Sequence, residues 1–349
     1  MIHNIPIPLK DELAAGILER FAQVNGITSV ELAIKLLRNS ATDKRHQPPI
    51  WLLANACGLE QNIFTSRHSM LPVMYPISNY HGRPHESKQK QTIARRGFGT
   101  ALTKFRWCIE CSKLDLGFRG FSHLRRWHQI DGVHWCIEHR IPLSQSVKTA
   151  VQPASFISKR AEGIVLNDEE EISNPALLRL ERILLNWLQR DRPLHLQTWS
   201  QVIGERCRIL GLRVGEIGKR HVASDWIAEQ FPDSWLSKYF PEILTKSPQS
   251  YVRKIDGACV DKHVSYPGLA CAAILAVLYP SSDDALEVLN EVDKRVSNES
   301  IARFPRDMAI QVFMGGESLK AACNSVGAQL SEVESHLRDI CLKRRVVNI

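Results

Sequence analysis

Trp107-Cys108-Ile109-Glu110-Cys111 and Trp135-Cys136-Ile137-Glu138-His139-Arg140-Ile141-Pro142-Leu143 repeat one short phrase, with 24 residues between Cys111 and Cys136. The first holds a C-x2-C pair and the second a C-x2-H pair. A tetrahedral ion takes two such pairs, each on a tight turn, so Cys108, Cys111, Cys136 and His139 have the spacing of a zinc site. The alternative is four ordinary side chains in a reduced core. It leaves unexplained why both pairs fall in one 32-residue window while the other six cysteines stand singly.

The residues between the pairs carry a resemblance. Arg125, Arg126, His128, Gln129 and Gly132, followed by Cys136, His139, Pro142 and Leu143, stand as in the signature of the TniQ/TnsD family. Ile109 is a minor departure, since a proline commonly follows the first cysteine there. Two earlier blocks are also similar to the family: Ile5-Pro6-Ile7-Pro8-Leu9-Lys10-Asp11-Glu12-Leu13 with Arg20 through Gly26, and His68-Ser69-Met70-Leu71-Pro72-Val73-Met74-Tyr75-Pro76. Weaker similarity to a TnsD-type carboxyl half runs from Thr198 to Phe240. The resemblance implies a target-selection protein of transposons that use a multi-subunit transposase and an AAA+ regulator. Many relatives carry a second cysteine knuckle soon after the first. Here residues 140–175 hold no cysteine.

With 44% apolar and 23% charged residues, the composition is that of a globular protein. No apolar run reaches bilayer length; Leu269 through Leu278 is the longest candidate. No secretory signal opens the chain, and nine cysteines form no disulfide framework, so a cytoplasmic location without membrane attachment is expected. The net charge of +8 favours a polyanionic partner such as DNA. Arg83, Lys88, Lys90, Arg95, Arg96, Lys104, Arg106, Lys113, Arg119, Arg125 and Arg126 concentrate that charge around the zinc pairs. Arg95, Arg96, Lys113, Arg119 and Arg125 are the candidate contacts to phosphate or partner acids; a solvated basic face is the alternative. Arg126 is set aside as a support of the zinc fold.

The fold class read from the chain is mainly α. Small helix-turn-helix-like units with an inserted zinc-finger module precede a helical second domain. Residues 1–143 form the first part, with the zinc module at 105–143. Asp11 is placed as the cap of the first helix, Asn25-Gly26 as its end, and Thr28 or Ser29 as the next cap. A third helix runs from Pro49 to Cys57, and a fourth starts near Glu60. Residues 144–174, with the acidic run Asp168-Glu169-Glu170-Glu171, read as a solvated linker. Residues 175–311 read as helices with core stripes, one of them running from Val222 through Trp226 and Phe231 to Leu236.

Residues 312–349 read as a terminal helix-turn-helix. Glu317-Ser318 starts one helix, Gly327 supplies the turn, and Ser331 caps the next. Ser331, Glu334, Ser335 and Arg338 would face a DNA groove or a docking partner. The acidic second helix favours docking. No phosphate loop, nucleophile elbow or H-E-x-x-H pair occurs, and four Cys/His ligands close a zinc sphere, so an enzyme is not expected. The expected function is an adaptor that marks an insertion site, on DNA or on a CRISPR Cascade complex with its guide RNA, singly or as a homodimer, and recruits the AAA+ regulator and transposase. The alternatives are an attachment-site DNA-binding protein of TnsD type, a zinc-containing transcription regulator, and a nuclease using His123, His128, Asp131 and His134.

Overall fold

The computed structural model describes residues 4–40, 47–78, 93, 97–98, 105–146, 163–165, 169–260, 266–294, 309–310, 313, 317–335 and 337–338. It is mainly α and divides into two compact units, residues 1–289 and 290–349.

The amino-terminal helices follow their local signals with one exception. Helix α1 (Ala14–Val24) buries Ile17, Leu18 and Phe21, and Asn25-Gly26 ends it with Gly26 at φ 64°. Ser29 accepts from the Leu32 amide at the start of α2 (Val30–Ser40). Helix α3 (Pro49–Ala56) stops before Gly58, at φ 68°, and Glu60 caps α4 (Gln61–His68) by accepting from Asn62 and Ile63. Asp11 does not cap α1. It lies in the left-handed region at φ 56°, and its carboxylate accepts from Arg126 and Gln189 instead. The sequence could not show this, because both donors lie more than a hundred residues away.

A short helix α5 (Leu71–Met74) leads to β1 (Ile77–Ser78), which pairs parallel with β5 (Leu194–His195). The zinc-spaced region opens on β2 (Arg106–Trp107) and α6 (Ile109–Arg119). Strands β3 (Ser144–Ser146) and β4 (Gly163–Val165) complete an antiparallel sheet of order β2-β3-β4, within the stretch read as linker. The acidic run is not simply solvated. Glu171, in α7 (Glu169–Ser173), is fully buried and accepts from His134 and Lys238. Burial alone would raise its carboxyl, but hydrogen bonds from His134 and Lys238 hold it down at about 2.

The helical stripe beyond is core. Helix α8 (Pro175–Leu188), capped by Asn174, packs along α14 (Gly268–Leu278), whose apolar residues are buried. Helix α9 (Leu196–Ile209) closes before Gly211. Trp187, Trp199 and Trp235 are buried and therefore core rather than base-stacking groups. The stripe from Val222 to Leu236 is two helices, α10 (Ala223–Gln230) and α11 (Asp233–Tyr239). Pro232 lacks the amide that an uninterrupted helix would need. Helices α12 (Pro241–Thr245) and α13 (Arg253–Asp256) finish this part. Among the described residues, no single helix is long and apolar enough to cross a membrane.

In the second unit, α15 (Leu319–Val326) is capped by Ser318 and ended by Gly327 at φ 68°. The next helix begins at Leu330. Ser331 therefore lies inside it, and the Gln329 carbonyl accepts from Glu332 and Val333 at its start. Ala309, Cys323 and Val333 form a small core with Leu319 and Leu337.

Candidate metal centre

Strand β2 delivers Cys108 to the start of α6, so Cys111 sits on that helix's first turn. The second pair occupies a tight turn: Arg140 N donates to Cys136 O at 2.9 Å, and Cys136 N to Ile141 O at 2.8 Å. Arg140 takes φ 53° to make this reversal. A bridge between Trp135 and Pro142 holds the base of the turn, and Leu143 is buried beneath it. These local bonds explain why Pro142 and Leu143 follow the histidine.

Four donor atoms converge as the spacing requires. Cys108 Sγ, Cys111 Sγ and Cys136 Sγ lie 3.5, 3.3 and 3.5 Å from His139 Nδ1, and Cys111 Sγ lies 3.7 Å from Cys136 Sγ. A regular zinc tetrahedron has edges of about 3.8 Å between sulfurs and about 3.5 Å between sulfur and nitrogen, from its bond lengths. The donor set fits zinc without rearrangement. The three cysteines are buried and His139 is half-buried, so the group could close around an ion. No other metal-competent group occurs among the described residues. In particular, His123 lies beside Asp115, His134 meets Glu171 and Tyr239, and exposed Asp131 faces Arg106. Burial, and then the charge of Arg125, push His128 down to about 3, leaving it neutral.

The remaining signature residues hold this module in place. Gln129 brackets Arg106, accepting from its amide at 3.0 Å and donating to its carbonyl at 2.7 Å. Buried Arg126 donates to Asp11, to the carbonyls of Ser66 and Ser69, and to that of Leu188. His68 donates to the Glu12 carbonyl at 2.7 Å. All three sequence blocks of the resemblance therefore meet at one guanidinium.

Gly132 turns at φ 85°, and its carbonyl accepts from Trp235 Nε1 at 2.9 Å. A Cβ there would lie 2.6 Å from Leu269 Cδ1 and 3.2 Å from Trp235 Cζ2. Gly132→Ala should therefore cost roughly 2–4 kcal/mol, from left-handed strain and overpacking together. Urea unfolding curves matching wild type would refute this account of the glycine.

The candidate contact residues are placed unevenly. Arg95 and Arg96 lie outside the described residues. Lys113 is exposed and pairs with Glu110 at 2.7 Å. Arg119 and Arg125 both turn inward to Asp115, Arg125 with bonds of 2.6 and 3.0 Å. Arg125 is thus engaged within the module. Asp115 escaped the sequence reading, although it is the buried acceptor for this whole end of α6. Burial would raise its carboxyl, but bonds from His123 and Arg125 hold it well below the usual range. On its outer side α6 exposes Leu114 and Phe118, the latter under the Arg119 guanidinium. In the second unit, Ser331, Ser335 and Arg338 are exposed and Glu334 is half-buried, 3.6 Å from Arg338.

Residues 5–143 match the family model of TniQ, a span that takes in all three blocks and the complete Cys3His group. No curated protein matches the chain.

Proposed function

We propose that this chain, whose residues 5–143 match the TniQ family model, selects target sites for transposition by binding and positioning. TniQ proteins are non-catalytic, transposition-associated adaptors in general. In this reading the chain engages target DNA, or a CRISPR Cascade complex with its guide RNA, and recruits the AAA+ regulator and transposase. The observation that carries it is the coincidence of the family match with an intact metal-competent knuckle. Zinc is the metal we assign to Cys108, Cys111, Cys136 and His139, since the donor separations fit its bond lengths. Its contribution is structural: it would lock the turn bearing Arg140 to the first turn of α6.

Within this function we favour the guide-complex adaptor over direct attachment-site reading. The exposed face of the terminal helix carries Glu332 beside Ser331 and Ser335, a poor match to phosphate, and no second cysteine knuckle follows the first. The outward Leu114 and Phe118 of α6 also suit a protein surface better than a duplex. Binding of purified protein to Cascade and to naked attachment-site DNA tests the choice. Cascade binding with only sequence-independent DNA affinity supports it, and tight sequence-specific DNA binding without Cascade contact refutes it.

The terminal helix pair then serves docking or self-association. Alanine at Ser331, Glu334, Ser335 and Arg338 should weaken partner or self-association and leave DNA affinity flat. If the helix reads bases instead, each substitution should relax sequence preference, by roughly 1–3 kcal/mol at its own base pair.

A further inference from the structure

Beside the metal centre lies a cavity of 610 Å3, bounded by the knuckle turn, one face of α8 and the Pro280–Ser282 turn. Three arginines line it: Arg140 directly after the ligand His139, and Arg179 and Arg182 from α8. One carboxylate, that of Glu181, faces them. It accepts from Arg140 at 2.7 Å and also from Trp135 Nε1, and its side chain is buried. Glu181 therefore fixes Arg140 in place without neutralising the group.

The other two arginines have no carboxylate among the described residues. Arg179 donates to the Ala276 carbonyl at 2.6 Å and to Gln230 Oε1 at 2.8 Å, both neutral acceptors. Burial shifts this guanidinium downward, as expected for a cation partly removed from water without a counter-charge. Arg182 is exposed and has no hydrogen-bond or ion-pair partner among the described residues. Asp283 and Asp284 follow the Ser282 end of the cavity, but they are exposed and do not line it. Leu178 and Pro280 give it an apolar wall.

We propose that this groove seats a backbone phosphate of nucleic acid, held by Arg140, Arg179 and Arg182. Three lining arginines against one lining carboxylate leave an excess of positive charge, and a phosphate offers oxygens that can accept from more than one of them. The chain's net charge of +8 suits a polyanion such as nucleic acid. The inference rests on the target-selection reading and adds to it the place of contact. None of these three arginines lies in the basic segment that the sequence singled out.

The test uses the full, zinc-loaded chain and a mixed-sequence DNA duplex followed by fluorescence anisotropy across a salt series. Arg182→Ala, which removes no internal bond, should weaken binding about five- to tenfold on any sequence and reduce the salt slope by about one. Its zinc content and thermal midpoint should match wild type. Arg208→Ala, removing an exposed arginine paired with Glu205 elsewhere, serves as the control and should change binding little. If Arg182→Ala binds duplex like wild type, the groove is not a phosphate seat, while the adaptor reading stands. If polyglutamate competes through Arg182 and duplex does not, the groove is a peptide site and the proposal fails. A wild-type chain that binds neither nucleic acid nor Cascade overturns both.

Discussion

Cys111→Ser is expected to purify without stoichiometric metal and with an unfolded or aggregating knuckle, whereas wild type should carry one zinc per chain. The size of the effect follows from linkage. Zinc binding by finger-like sites contributes on the order of 10 kcal/mol or more to folding, because the unfolded chain has no preformed site. Here the loss would not stay local. The turn at Cys136–Arg140 positions Trp135, which donates to Glu181 of α8. The module is also tied to the amino-terminal helices through Leu13 N and Leu124 O at 2.7 Å. Metal analysis and amide exchange measure both parts. A wild-type protein purified without zinc, yet protected at Cys108–Leu143, would remove the structural role of the metal.

Arg126→Met should destabilise the chain by roughly 3–5 kcal/mol, the range for breaking one partner out of a buried ion pair. The side chain is 1% exposed, and its loss would leave the Asp11 carboxylate without its guanidinium partner. Three carbonyl acceptors, on Ser66, Ser69 and Leu188, lose a donor as well. Methionine nearly conserves the volume, so the result reports polar contacts rather than a cavity. Chemical unfolding monitored by tryptophan fluorescence supplies the number. A change below about 1 kcal/mol, the usual size for a surface substitution, would show that this network is not what joins the three family blocks.

What could be read from the sequence was local. Metal ligands at x2 spacing, the positive-φ glycines Gly26 and Gly327, the Ser29 cap and the helix starts near Glu60 and Ser318 each depend on neighbours within a turn or two. The contacts that were missed join distant positions. Arg126 and Asp11 are 115 residues apart, and His134 and Tyr239 are 105 apart. Periodicity carries no trace of such pairs. Charge counting also ignores partners: Arg125 bonds to Asp115, and Glu171 is buried rather than solvated. Arg140, Arg179 and Arg182 lie dispersed in a sequence whose basic cluster is elsewhere, and only the fold brings them to one cavity.

The adaptor function stands or falls on whether this chain physically joins target to machinery. The direct measurement immobilises the AAA+ regulator of the same transposon and asks whether Cascade with guide RNA, or labelled target DNA, is retained. Retention should require the chain, fail with Cys111→Ser, and scale with added zinc-loaded protein. Equal retention with and without the chain would contradict the account.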